Sequence, residues 1–205
     1  MICETPSSET VIAPELWICA PSRALTVVPG DERIDHERID AASGALRALG
    51  WSVKEAANVR QVDKSFAGTD AQRAAGFEEA MCAPQADLVL ALRGGSGTAR
   101  ILDRINWDRV GASHAVFMGL SDLTAINLAL YAKCGKASWQ GPVAAAFSIP
   151  DETRVEFFMR AMSRPLLEEK LVAQGEAIEA EGVLWGGNLS VLTSLIGTPY
   201  FPQID

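Results

Sequence analysis

The sequence predicts an α/β protein in which a parallel sheet is covered by helices on both faces. Two observations carry this prediction. Apolar runs short enough for strands alternate four times with stretches of helical periodicity before Gly135, and the clearest run, residues 87–92, is apolar without interruption after its first residue. Continuous apolar strands are typical of parallel sheets buried on both faces, which place their binding sites at the carboxyl ends of the strands.

The first half of the chain supplies three predicted strands and two predicted helices: a strand at 16–20, a helix at 31–49, a strand at 51–53, a helix from Thr69 to about Cys82 and a strand at 87–92. Pro21 ends the first strand and Gly50 ends the first helix, because both residue types interrupt regular structure. Thr69 and Asp70 are residue types that cap the free amides at a helix start.

The second half continues the alternation and then loosens: a helix at 98–105, a strand at 114–118, a helix closed by Gly135, a strand and turn at 137–143, a helix at 151–163, a strand and glycine turn at 181–188 and a helix at 189–196. Residues 165–180 are charged and have no clear period, so we interpret them as a linker. The predicted organisation is a disordered tail at 1–15, an N-terminal α/β domain at 16–164, the linker at 165–180 and the beginning of an incomplete second domain at 181–205.

Composition and charge limit the kinds of partner. The 205 residues are 48% hydrophobic, with a net charge of −8 and a pI near 4.8, which argues against a surface for nucleic acid or anionic lipid and favours a small organic substrate. No run approaches the ~20 apolar residues of a membrane span, and the first residues lack the pattern of a signal peptide. The four cysteines form no Cys-x-x-Cys pair and have no histidine nearby, so we expect reduced thiols in a cytoplasmic protein and no zinc site.

Ser121 lies in the stretch around which the chain is organised, MGLSDLTA at 118–125. An apolar run before it predicts a strand and the residues after it predict a helix, so the hydroxyl sits where a strand turns into a helix. Such a turn exposes a nucleophile, while the first free amides of the helix, such as that of Asp122, face the group under attack. The alternative is that Ser121 is only an N-cap, with Asp122 favourable in the first turn.

A glycine-rich turn, RGGSG at 93–97, follows the strand at 87–92. It is neither a dinucleotide fingerprint nor a P-loop, since no lysine follows its last glycine, which disfavours the alternative of a nucleotide-binding α/β domain. Three glycines in four residues allow close backbone approach and offer free amides. If this turn neighbours Ser121, one of its amides completes an oxyanion hole with the amide of Asp122; otherwise it is simply a tight turn.

A serine nucleophile needs a base, normally a histidine oriented by an acid. His114 lies seven residues before Ser121 on the same predicted strand, about 23 Å away at ~3.3 Å per residue. His36 belongs to a charged helix and is expected on its solvated face. Glu181 precedes an apolar strand and a Gly-Gly turn, where it either points into the crevice of Ser121 or is an ordinary exposed glutamate.

Six motifs are then found in register: APS at 20–22, AGTD at 67–70 with Arg73, RGGSG at 93–97, GLSDLTA at 119–125, GP at 141–142 and EGVLWGGNL at 181–189. In order and rough spacing they resemble the LD-carboxypeptidase family of serine peptidases over nearly the whole chain from Trp17. The resemblance implies a flavodoxin-like N-terminal domain followed by a smaller C-terminal α/β domain, in a homodimer. It also implies a Ser-Glu-His triad without metal or cofactor, in which Ser121 is the nucleophile, Glu181 the acid, and the amides of Gly95 and Asp122 the oxyanion hole.

The substrate that the resemblance implies is a small peptide. Family members include muramoyl-tetrapeptide carboxypeptidases, which remove the terminal D-alanine from cytoplasmic muropeptides during cell-wall recycling. They also include microcin C immunity peptidases, which cleave an amide in an aminoacyl-nucleotide. The first activity is the expected one for this chain, and the second is the alternative.

The chain departs from the family pattern at several positions. The family's histidine comes from beyond the Gly-Gly-Asn turn, and neither His36 nor His114 matches it, so a catalytically dead peptide-binding homologue is a further alternative. Gln140 replaces the histidine usual before Gly-Pro and Ser96 replaces a common tyrosine, which leaves the substrate open. The candidates for recognising the substrate's terminal carboxylate are a helix amino end, Arg23, Arg73 and Arg93.

Overall fold

The computed structural model describes residues 13–163, 175 and 181–203. Four strands form one parallel sheet in these residues: β1 at Glu15–Cys19, β2 at Ser52–Glu55, β3 at Ala86–Ala91 and β4 at Val116–Met118. Their order is β2-β1-β3-β4, which is the order of the first four strands in a flavodoxin-like sheet. The predicted α/β fold with a parallel sheet is confirmed.

Six α-helices lie in the described part of the chain: α1 at His36–Ala48, α2 at Asp70–Met81, α3 at Trp107–Ala112, α4 at Thr124–Cys134, α5 at Glu152–Ser163 and α6 at Leu189–Ser194. Three 3₁₀ helices connect them, at Thr98–Arg104, Ser121–Leu123 and Ala144–Ser148. The predicted helix at 98–105 is thus a 3₁₀ helix, because Asn106 caps a new α-helix directly after it and leaves only a short segment.

Local capping explains where the helices begin and end. The Thr69 side chain accepts a hydrogen bond from the Gln72 backbone amide, and the Gln72 side-chain oxygen accepts one from the Thr69 backbone amide, so α2 starts with a complete capping box. Gly135 ends α4 in the left-handed conformation, at φ 63°, as its position in the sequence predicted. The first helix begins at residue 36 instead of 31, because Asp35 is the residue that caps it.

Aromatic side chains from neighbouring elements pack together in the core beside the sheet. Phe77 of α2 is fully buried, and its ring packs edge-on against Phe117 of β4, with centroids 5.4 Å apart. Trp107 of α3 lies beside the same ring at 6.4 Å. Truncating a buried phenylalanine typically costs about 3–5 kcal/mol, so these contacts fix α2 and α3 against the strand that leads to Ser121.

Two predicted strands are not found. At 137–143, Trp139 forms a single parallel bridge with Met118 and the chain then leaves the sheet, since Pro142 has no N–H to continue a ladder. After Glu181, the residues up to Gly187 form no strand, and Asn188 caps α6 directly. Residues 137–143 therefore meet the edge strand β4 at one position only, and residues 181–187 form no ladder with the described strands.

The predicted linker at 165–180 falls outside the described residues except for Gly175, so the predicted domain boundaries stay predictions. The described part of 181–203 packs on α4 through α6, and Tyr200 lies 6.2 Å from the Trp107 ring. None of the described helices is both long and apolar enough to cross a lipid bilayer.

Candidate active site

Three strands end side by side at one edge of the sheet. Cys19 at the end of β1 pairs with Ala91 of β3, and Leu90 of β3 pairs with Met118 at the end of β4. The turns that follow these strands, at 20–23, 93–97 and 119–122, therefore meet. The strand order also reverses between β1 and β3, which is the position where open α/β sheets bind ligands.

Ser121 has an unusual backbone conformation at this edge. Its φ is 63°, and among the described residues only one other non-glycine, Lys64, has a positive φ. This left-handed conformation costs a residue with a Cβ atom about 1–2 kcal/mol. It turns the chain sharply between β4 and the 3₁₀ helix that begins at Ser121, the geometry of a strained turn that lifts a nucleophile clear of a sheet.

The Ser121 hydroxyl is available. The side chain is half-buried, and within the described residues it makes no hydrogen bond. Neither the 3₁₀ helix nor α4 receives a capping bond from it, since their N-cap positions are Leu120 and Leu123. The alternative interpretation of Ser121 as an N-cap is therefore wrong.

The Asp122 carboxylate connects the three turns through hydrogen bonds. It is 7% exposed, and its Oδ2 accepts hydrogen bonds from the Ser22 hydroxyl at 2.6 Å, from the Thr98 hydroxyl at 2.5 Å and from the Thr98 amide at 3.1 Å. Ser22 follows β1 and Thr98 follows the glycine turn, so one buried carboxylate holds both neighbours of the Ser121 turn. The sequence had indicated only the amide of Asp122, because a buried carboxylate and an exposed first-turn acid look alike in a sequence.

The glycine turn lies directly against Ser121. A Cβ atom placed on Gly94 would be 3.2 Å from the Ser121 Cβ, and one placed on Gly95 would be 2.7 Å from the Arg23 Cγ. Gly95 also has φ 144°, which residues with a side chain rarely adopt. The structure thus brings together the two turns predicted to form the oxyanion hole, while the roles of the Gly95 and Asp122 amides stay predictions.

Arg73 has a structural role. Its side chain is fully buried, and it donates hydrogen bonds to the carbonyl of Pro21 at 2.7 Å, to the carbonyl of Gly97 at 3.0 Å and to the Asp70 carboxylate. Burial lowers its pKa, although the Asp70 charge opposes that shift. Because it joins the turns after β1 and β3 from inside the protein, it is not a candidate for binding substrate.

Arg23 and Arg93 lie on the open side of the glycine turn. The Arg23 Nε donates to the Ser96 hydroxyl at 3.0 Å, and Arg93 donates to the carbonyls of Gly94 and Ala24 at 3.1 and 3.2 Å. Both side chains are partly exposed. In the described part of the chain, neither forms an ion pair with a carboxylate.

The C-terminal segment packs beside the nucleophile turn. The Thr124 hydroxyl, at the start of α4, accepts hydrogen bonds from the Asn188 amide at 2.9 Å and from the Gln140 side chain at 3.3 Å. A Cβ on Gly187 would be 2.5 Å from the Thr124 side chain. The Gly-Gly-Asn turn therefore packs against the start of α4, three residues after Ser121, a contact for which the sequence offered only the glycine pair as a signal.

None of the remaining predicted residues forms a hydrogen bond with Ser121 in the described part of the chain. His114 is exposed before the amino end of β4, and His36 is exposed with its Nδ1 3.2 Å from an Arg60 nitrogen. Glu181 is exposed and makes no hydrogen bond or ion pair within the described residues, so its assignment as the acid stays a prediction from the resemblance.

No group of three or more His, Cys, Asp or Glu side chains in residues 13–163 and 181–203 is placed to hold a metal ion.

Comparisons with known proteins show which family this chain resembles. A family model described as the LD-carboxypeptidase N-terminal domain matches residues 17–141, a range that includes the turns with Gly95 and Ser121 but not Glu181. A protein of Streptomyces coelicolor named as a carboxypeptidase is 32% identical over 191 residues, which are 88% of this chain and 61% of that protein.

Two further relatives carry more specific names. The crystal structure of a muramoyltetrapeptide carboxypeptidase from Oxalobacter formigenes is 29% identical, with a TM-score of 0.80 over 93% of this chain and 62% of that chain. The microcin C7 self-immunity protein of Escherichia coli is 22% identical over 192 residues, 78% of this chain and 56% of that protein. The chain spans less than two thirds of the length of each of these relatives.

Proposed function

Since the chain belongs to the LD-carboxypeptidase family of serine peptidases, we propose that it carries the nucleophile of a serine carboxypeptidase that removes the terminal D-alanine from muropeptide tetrapeptides. One observation supports this above all others. Ser121 lies at the carboxyl edge of a parallel sheet, beside a glycine turn. Its backbone is strained and left-handed, and its hydroxyl makes no hydrogen bond within the described residues. Strain of this kind persists where the surroundings enforce it, and it concentrates at active sites.

The proposed reaction begins when the Ser121 Oγ attacks the carbonyl carbon that precedes D-alanine. A base takes the hydroxyl proton as the Oγ–carbon bond forms, and the amides of Gly95 and Asp122 hold the negative oxygen. The carbon–nitrogen bond then breaks, and the proton passes to the nitrogen of the departing D-alanine. Water hydrolyses the resulting ester and restores the serine.

We propose a histidine as the base, with Glu181 as the acid that orients it; neither His36 nor His114, the two histidines of this sequence, matches the position of that base. The Asp122 carboxylate does not serve as the base, because its Oδ2 is buried and already accepts three hydrogen bonds. We further propose that the protein acts in the cytoplasm as a homodimer, on a small peptide, in cell-wall recycling and without a cofactor.

A second activity has its own support. The similarity to a microcin C7 self-immunity protein, together with Gln140 beside the Thr124 hydroxyl, makes cleavage of an aminoacyl-nucleotide amide the alternative. Gln140 also donates to the carbonyl of Gly186 at 3.3 Å, so its side chain joins Thr124 to the Gly-Gly-Asn turn.

The test is hydrolysis of a muropeptide tetrapeptide by the protein at its native length, compared with hydrolysis of an aminoacyl-nucleotide. We expect Ser121→Ala to lower kcat/KM for the preferred substrate by at least about 10⁴-fold, since removing a serine nucleophile in a well-studied protease costs roughly 10⁶. Ser190→Ala, on the exposed side of α6, is the matched control and should leave kcat/KM unchanged. Unchanged hydrolysis by Ser121→Ala would sink the proposal.

A further inference from the structure

Arg23 and Arg93, here called the arginine pair, form no ion pair with any carboxylate among the described residues. Arg23 uses only its Nε, on Ser96, and Arg93 uses its Nε and one Nη, on backbone carbonyls. Across residues 13–163 and 181–203, ion pairs satisfy other arginines such as Arg60 and Arg73 but neither member of the pair. Both nitrogens at the end of Arg23, and one at the end of Arg93, are left to donate to a ligand.

The electrostatic surroundings favour an anion at this point. Burial lowers the pKa of Arg93, and the positive charges of Arg23 and Arg38 lower it further. The charged groups around Arg38 do not neutralise them: its Nε donates to the Ser148 hydroxyl, and Asp35 accepts its backbone amide at the start of α1. Adjacent like charges are unfavourable, and a carboxylate bound between two of them relieves that cost.

The position of the arginine pair relative to Ser121 indicates which part of a substrate it binds. The aliphatic part of Arg23 lies against Gly95, and Gly94 lies against Ser121, as the close approaches of their would-be Cβ atoms show. Arg23 thus packs on the glycine next to the one that contacts Ser121. The terminal carboxylate of a cleaved peptide lies one residue beyond the scissile carbonyl, a Cα–Cα step of about 3.8 Å, and the arginine pair supplies cationic groups at the turn that lies against the nucleophile.

We propose that the arginine pair binds the terminal carboxylate of the peptide whose last amide bond Ser121 cleaves. The inference rests on the proposed function and adds to it the residues that select the substrate. Arg23 is the principal ligand because both of its terminal nitrogens are available, a fork that matches a carboxylate bidentately. Arg93 supplies a second donor, and its own backbone contacts hold the turn in place.

The other candidates for this role are weaker. Arg73 is fully buried and its guanidinium is engaged by Pro21, Gly97 and Asp70. The amino end of α4 is preceded by the Asp122 amide, which the proposed reaction uses for the carbonyl oxygen. The site consequently accepts peptides that end one residue after the cleaved bond and disfavours those in which the chain continues or the carboxylate is blocked.

The experiment measures binding separately from turnover. Ser121→Ala protein at its native length is titrated by calorimetry with a D-alanine-terminated tetrapeptide and with the same peptide ending in D-alaninamide. We expect the acid to bind at least 10-fold more tightly than the amide, and Arg23→Gln in this background to weaken binding of the acid by about 10- to 100-fold, the usual effect of losing hydrogen bonds to a charged group. Binding of the amide should not change.

Matched variants separate a lost ligand from a disturbed fold. Arg23→Lys keeps the aliphatic contact with Gly95 and one charge, so part of the preference for the acid should return, and it serves in place of Arg23→Gln if that variant does not fold. Arg109→Gln removes an exposed arginine of α3 that pairs with Glu78, and it should leave both affinities unchanged. Thermal unfolding of each variant checks the fold.

The outcomes distinguish this inference from the proposed function. If the Arg23 variants bind acid and amide with the same ratio as their parent, or if neither peptide binds the Ser121→Ala protein, the inference is overturned. If the acid preference depends on Arg23 but the unmodified protein releases no D-alanine, the carboxylate site stands and the proposed reaction fails.

Discussion

At the scale of single residues, the backbone of Ser121 carries the functional argument. A residue with a Cβ atom at φ 63° is held there by its surroundings, and the carbonyl of Gly119 just before it is fixed by the Asn127 side chain at 3.1 Å. Stability is therefore given up to place one hydroxyl, a compromise that is common at active sites.

This strain can be measured with two variants that both lack the hydroxyl. We expect Ser121→Gly to be more stable than Ser121→Ala by about 1 kcal/mol, because glycine adopts a positive φ without steric cost and alanine does not. Chemical denaturation of both variants measures the difference. Equal stabilities would show that the left-handed conformation at residue 121 is not strained.

Asp122 is the second residue whose environment predicts an effect. Asp122→Ala leaves the Ser22 hydroxyl and the Thr98 amide and hydroxyl without their acceptor, and we expect a loss of about 2–4 kcal/mol in the free energy of unfolding. Asp103→Ala, an exposed acid in the 3₁₀ helix after Thr98, should change it by less than about 0.5 kcal/mol. A loss at Asp122 as small as that at Asp103 would contradict the role assigned to the buried carboxylate.

At the scale of elements, the amino end of α2 joins the sheet to the glycine turn. Arg73, in the first turns of this helix, reaches the turns after β1 and β3, and Asp70 pairs with both Arg73 and Arg100. Burial opposes ionisation of Asp70, but the hydrogen bonds and charges of Arg73 and Arg100 outweigh it and lower the pKa of the Asp70 carboxyl.

This lowered pKa has a defined consequence for stability. An acid whose pKa is lower in the folded state contributes stability above its unfolded pKa, near 3.8, and the contribution is lost as the pH falls through the lowered value. We expect Asp70→Asn to destabilise the protein by about 2 kcal/mol at pH 7, with a smaller difference at pH 3.

Thermal unfolding of the two proteins across pH 3 to 7 measures the effect. Glu79→Gln is the control, an acid of the same helix whose carboxylate accepts one hydrogen bond, from the Ala57 amide, and contacts no arginine among the described residues. A difference between Asp70→Asn and the unmodified protein that does not depend on pH would show that the charge of Asp70 is not what holds Arg73.

At the scale of the whole molecule, one hydroxyl connects the sheet domain to the C-terminal segment. Thr124 accepts from Asn188 and from Gln140 at the start of α4, three residues after Ser121. The packing of Trp185 on Phe201, with ring centroids 5.8 Å apart, folds that segment back on itself. The packing of the Gly-Gly-Asn turn beside the start of α4 thus depends on how residues 185–203 fold.

Replacing Thr124 by valine tests this connection with little change in shape. The variant removes the acceptor for both donors, and we expect amide hydrogen exchange over 186–194 to become at least about 5-fold faster, while exchange in β1 and β3 does not change. Thr193→Val, an exposed position in α6, provides the comparison. If exchange over 186–194 keeps its rate in Thr124→Val, the segment is held by other contacts.

The sequence predicted the elements that follow from local rules and failed where an element depends on a distant partner. The N-cap at Thr69 and the left-handed end at Gly135 involve residues three or four apart, and both were predicted correctly. The strands proposed at 137–143 and after Glu181 were not, because a strand forms only where its pairing with a neighbour continues, and no local pattern encodes that pairing. The domain boundaries and the role of Glu181 stay predictions.

The sequence by itself determined the parallel α/β sheet and the position of Ser121 at a strand-to-helix turn, because hydrophobic period and turn chemistry are local properties of the chain. Only the tertiary structure decided the left-handed backbone of Ser121, the burial of Arg73, and the network of Asp122 with Ser22, 100 residues away in sequence. These features depend on contacts between turns that the sheet brings together, and no local pattern encodes which side chain fills the space between them.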